Sequence, residues 1–73
     1  MSYHIMLTRK VSNLEGQTQI AVQVMDLKNG QIIYFTLDEL EKNELPEELK
    51  EYIRGILPDI VEGRWLYSGK FYK

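Results

Sequence analysis

Residues 19–39 read QIAVQVMDLKNGQIIYFTLDE, and this stretch decides the fold. Two runs of alternating apolar residues flank Asn29-Gly30. That dipeptide is a strong hairpin signal, because a type I′ turn needs positive φ at both central positions. Thr36 and Glu39 follow with the spacing of a capping box, in which Thr36 accepts from a first-turn amide and Glu39 reaches back to the Thr36 amide. The stretch therefore predicts strand, turn, strand and helix start in immediate succession.

A two-residue turn at Asn29-Gly30 implies a register that pairs Leu27 with Ile32, Asp26 with Ile33, Met25 with Tyr34, Val24 with Phe35 and Val22 with Leu37. One face of the sheet then carries Ile20, Val22, Val24, Ile33, Phe35 and Leu37. A preceding strand over residues 3–10 adds Tyr3, Ile5 and Leu7 to it. The opposite face carries Ala21, Gln23, Met25, Ile32 and Tyr34, with Met6 and His4 at its margin, and is more apolar than a fully solvated surface requires.

Further out, residues 11–17 are polar and turn-forming, and read as a loop. A short helix is expected over residues 37–43, with Leu37 and Leu40 toward the sheet and Asn43 as its left-handed stop. Pro46 suits the first position of a second helix, where its missing N–H costs nothing, and Glu47 and Glu48 complement the helix dipole. Leu49, Tyr52, Ile53, Ile56 and Leu57 fall on one face of that helix. Pro58 is expected to stop it at Leu57 or to force a new turn. Arg64-Trp65-Leu66-Tyr67 and Lys70-Phe71-Tyr72-Lys73 read as strand pieces around a Ser68-Gly69 turn.

These elements make one α+β domain over residues 1–73. The expected form is a mostly antiparallel three- to four-stranded sheet with one or two helices packed on one face, in the order β-β-β-α-α-β or β-β-β-α-β-β. A chain of this length buries only around 60% of its unfolded surface. With no cysteine and one histidine, neither a disulfide framework nor a structural metal supplements the core. The absence of cysteine fits a reducing compartment, and the N-terminal residues show neither a signal-peptide pattern nor a membrane span, so a cytoplasmic location is expected. Charge is unevenly spread: nine of the eleven acids lie within residues 38–62 against Lys42, Lys50 and Arg54, while the strand segments are mildly basic.

Catalysis is not expected. Nucleophilic chemistry needs a nucleophile beside a base, and His4, the only histidine, stands alone near the end of a strand. One histidine cannot anchor a metal site, and no cofactor or small-molecule substrate is evident. The pairs Glu44/Glu48 and Glu47/Glu51 have acid/base spacing on a helix. With Lys50 and Arg54 interleaved, they read as a solvated face.

Binding remains. Met6, Met25, Ile32 and Tyr34 on the second sheet face form a candidate protein interface unless the tail folds over them, since methionine and tyrosine suit adaptable, half-wet contacts. The expected function is a small non-enzymatic interaction module, an adaptor, inhibitor or regulatory subunit that binds another protein or itself as a homodimer. A competing reading is a small nucleic-acid-binding or transcription-related regulator. It would use Arg9, Lys10, Arg64, Lys70 and Lys73 beside the C-terminal aromatics. Against it stands the core role expected of Trp65, the only tryptophan.

Overall fold

The computed structural model describes residues 2–42 and 44–67. Three strands, β1 (Tyr3–Ser12), β2 (Thr18–Asp26) and β3 (Gln31–Thr36), form an antiparallel sheet in the order β1-β2-β3. A 3-10 helix (Leu37–Glu41) and one α-helix, α1 (Glu47–Glu62), follow. The fold is α+β, as the sequence implies.

The β2–β3 register differs from expectation by two residues. Asp26 pairs with Gln31, Val24 with Ile33 and Val22 with Phe35, which leaves a four-residue loop, Leu27-Lys28-Asn29-Gly30, in place of the two-residue turn. The reason lies in the Asp26 side chain. Its Oδ1 accepts from the amides of Lys28 (3.1 Å) and Asn29 (3.2 Å), and its Oδ2 accepts from Asn29 Nδ2 (2.8 Å). The Gly30 amide closes the loop onto the Asp26 carbonyl at 2.8 Å, with Gly30 left-handed at φ 64°. An aspartate that satisfies three loop donors outcompetes the tighter turn. Because the shift is even, every side chain keeps its face. Asn13 plays the same part in the first hairpin, its Oδ1 accepting from the amides of Glu15 and Gln17, both at 2.9 Å.

β1 departs from simple alternation. Ile5 pairs with Val24 but Leu7 pairs with Gln23, so Met6 is the extra residue of a β-bulge. The bulge inverts the parity of the strand beyond it. Leu7, expected in the core, turns to the other face, and Thr8 takes its place opposite Val22, buried at 1% exposure.

The core lies between the sheet and the helices: Ile5, Val22, Val24 and Phe35 from the strands meet Leu40, Leu49, Ile53 and Ile60. Leu37 does not extend β3 to pair with Val22. It opens the 3-10 helix, whose start is held by the Thr36 amide donating to Glu39 Oε1 at 2.8 Å. The expected helix over residues 37–43 is thus a 3-10 turn ending at Glu41, and Asn43 lies outside the described residues.

Pro46 caps α1 in an extended conformation (φ −59°, ψ 145°), one position earlier than expected, and its carbonyl accepts the Lys50 amide at 3.1 Å. The helix does not stop at Leu57. It runs through Pro58 to Glu62 and closes at Gly63 (φ 90°), with the Gly63 and Arg64 amides returning to Ile60 and Asp59 carbonyls. An interior proline costs about 3 kcal/mol relative to alanine. Burial of Ile60, about 1.5–3 kcal/mol, and the left-handed glycine cap offset that cost. Lys50, expected on the solvated face, is 4% exposed. Its Nζ reaches Glu47 at 3.9 Å, so the stem is covered while the ammonium remains near a carboxylate.

Beyond α1 the chain returns to the outer edge of β1. The Thr8 amide donates to the Trp65 carbonyl (2.9 Å) and the Tyr67 amide to the Thr8 carbonyl (2.7 Å), a single parallel bridge between Thr8 and Leu66. The expected fourth strand is this one bridge among the described residues. The Ser68-Gly69 turn and residues 70–73 lie outside them.

Candidate functional site

The two faces of the sheet have different fates. The face bearing Val22, Val24, Ile33 and Phe35 is covered by the helices. The other carries His4, Leu7, Arg9 and Val11 from β1, Gln19, Ala21, Gln23 and Met25 from β2, and Ile32, Tyr34 and Thr36 from β3. No described helix lies across it, and none of its described residues is a carboxylate. Every acid of the two helices, from Asp38 to Glu62, lies in the layer on the other side.

Of the residues expected to form an interface, Ile32 (52% exposed) and Tyr34 (57%) stand out on β3, and Met6 is exposed in the bulge. Met25, across from Ile32, is half-buried. Ala21 contributes nothing to an exposed patch, because it is fully buried. The apolar area is therefore concentrated at the β3 side, with Ile32, Tyr34 and Met25 adjacent in the register.

The two edges of the sheet also differ. β1 is closed at Ile5, whose amide donates to the Tyr52 hydroxyl at 3.1 Å, and again at Thr8 by Trp65 and Tyr67. Its outward-facing amides are three residues apart, where regular alternation gives two. The Met6 bulge accounts for the difference, and alternation in the sequence did not signal it. β3 is the other edge, six residues long and flanked by the exposed Ile32 and Tyr34. An edge strand of this kind presents unpaired backbone groups to any extended segment that reaches it.

The basic candidates are only partly assembled. The Arg9 guanidinium lies 5.5 Å from the Tyr67 ring centre, and that of Arg64 lies 5.4 Å from Trp65. Arg64 also pairs with Asp59 at 3.3 Å. Trp65 is half-buried and packs against the core cluster. Lys10 is exposed, while Lys70 and Lys73 lie outside the described residues. His4 is exposed, as are Glu44, Glu47, Glu48 and Glu51. Among the described residues, no three histidine, aspartate or glutamate side chains converge in a geometry that could hold a metal ion. No described helix is long and apolar enough to cross a membrane.

No protein-family model, curated protein or solved structure matches this chain.

Proposed function

We propose that this protein is a small non-enzymatic interaction module, an adaptor, inhibitor or regulatory subunit in the cytoplasm, that binds another protein or a second copy of itself through the β3 side of its open sheet face. The observation that carries this reading is the exposure of Ile32 and Tyr34 beside Met25 on a face with no carboxylate among its described residues. Large apolar side chains clustered next to an open strand edge support recognition by strand addition, in which backbone pairing supplies affinity and the flanking side chains supply specificity. The acidic helix layer on the far side opposes docking in the reverse orientation.

Sedimentation equilibrium at two salt concentrations tests this reading, with Tyr34→Ser and Ile32→Ser as comparisons. A dimer that persists at high salt and dissociates in both variants supports self-association through this face. A monomer whose partner, recovered by affinity capture, is lost with Tyr34→Ser supports a different protein. A capture pattern unchanged by both substitutions would sink the assignment of this face. Loss of binding on Lys10→Glu instead would favour the nucleic-acid reading.

A further inference from the structure

The start of β1 and the first turns of α1 enclose a second feature, a cleft of about 490 Å³ lined by Ser2, Tyr3, Glu48, Glu51 and Tyr52. It lies on the helix side of the sheet, away from Ile32 and Tyr34. Tyr3 and Tyr52 form one wall, with ring centres 6.2 Å apart and planes inclined by 33°. The Tyr52 ring is held in place by the hydrogen bond between its hydroxyl and the Ile5 amide.

The other wall is acidic and, among the described residues, has no cation of its own. Lys50 and Arg54, the cations of α1, both reach Glu47, each at 3.9 Å. Glu48 and Glu51 therefore carry charge into the cleft with no ion-pair partner among the described residues. Burial, followed by the nearby charges of Asp26 and Glu48, raises the pKa of the Tyr3 phenol above its ordinary value. The field in the cleft is thus negative, and tyrosine rings offer their negative faces to a cation.

We propose that this cleft takes a lysine or arginine side chain presented by a partner protein, with Glu48 and Glu51 pairing with the cation and the Tyr3–Tyr52 wall packing against its stem. The cleft is open on one side. Sites for free small molecules bury most of the ligand surface, which an open cleft of this kind does not do, whereas a tethered side chain needs only one lined wall. The site is separate from the open sheet face, so either can fail alone.

The test is a titration of the whole protein followed by NMR of the tyrosine ring signals, with four probes: blocked lysine, blocked arginine, tetramethylammonium and a short lysine- and arginine-containing peptide. The expected result is saturable shifts at Tyr3 and Tyr52, tightest for the peptide. The double variant Glu48→Gln/Glu51→Gln should weaken peptide binding roughly fivefold or more. Glu41→Gln/Glu62→Gln, which changes net charge equally at exposed sites outside the cleft, should weaken it by less than about twofold. Tyr34→Ser should leave it unchanged. Equal weakening by the two double variants would reduce the effect to overall charge and overturn the proposal. So would an absence of ring shifts, or tetramethylammonium binding as tightly as the peptide, which would make the ligand a free organic cation.

Discussion

The Tyr52 hydroxyl accepts the Ile5 amide hydrogen at 3.1 Å across 47 positions of sequence, joining the helix to the outer edge of β1. Together with the Thr8 bonds to Trp65 and Tyr67, it occupies the outward-facing groups of β1 at Ile5 and Thr8, whereas β3 has no strand beyond it among the described residues. Tyr52→Phe keeps the ring and removes only the acceptor. It should cost about 1 kcal/mol of unfolding free energy, measured by urea denaturation, and should accelerate hydrogen exchange at the Ile5 amide selectively. An unchanged Ile5 exchange rate would mean that the bond does not protect the edge.

Thr8 is buried with a hydroxyl that has no hydrogen-bond partner among the described residues. The bulge at Met6 places it there, in a position where alternation alone puts a leucine. Thr8→Val removes the unsatisfied oxygen at nearly constant shape and should stabilise the fold by about 1 kcal/mol. A loss of stability in thermal or urea unfolding would show that the hydroxyl does have a partner.

The Asn29 side chain, then the amides of Asn29 and Lys28, and Gln31, hold the Asp26 carboxyl below its ordinary pKa against the opposing effect of burial. The unfolded chain, with an aspartate near about 3.9, binds the proton more readily than the folded one. The contribution of Asp26 is therefore fully present above that value and disappears as pH falls through the lower folded pKa. Asp26→Asn should lower stability at neutral pH and flatten its decline below about pH 4. Unfolding midpoints measured from pH 2 to pH 7 check both, and parallel curves for the two proteins would exclude Asp26 as the titrating group.

Pro58 sits inside α1 with an exposed ring and leaves the Arg54 carbonyl without its i→i+4 amide partner. Pro58→Ala restores that bond, while the more flexible unfolded chain returns about 0.4–1 kcal/mol of the gain. A net stabilisation of about 2–2.5 kcal/mol is expected, read as a higher denaturant midpoint with unchanged slope. A lower midpoint would indicate that the ring packs against a neighbour.

The features legible in the chain are those set by residues a few positions apart. Thr36 and Glu39 form their cap because they lie three positions apart. Leu49 and Ile53 share a buried helical face because they lie four positions apart. Val22, Val24, Ile33 and Phe35 reach the core because side chains alternate along a strand, and that assignment survived a two-residue error in register because the error was even. Ile32 and Tyr34 fall on the exposed face for the same reason.

Local pattern determined the α+β class, the three strands, the amphipathic helix and the division of the sheet into a core face and an outer face that carries Ile32 and Tyr34. Each of these follows from backbone geometry repeated over adjacent residues. Tertiary structure alone decided the bulge at Met6, the continuation of α1 through Pro58, the closing of β1 by Tyr52 and Trp65, and the cleft that brings Tyr3 to Glu48 and Glu51. These depend on which distant groups compete for the same backbone donor or the same buried volume, and that competition is resolved only when the chain has folded.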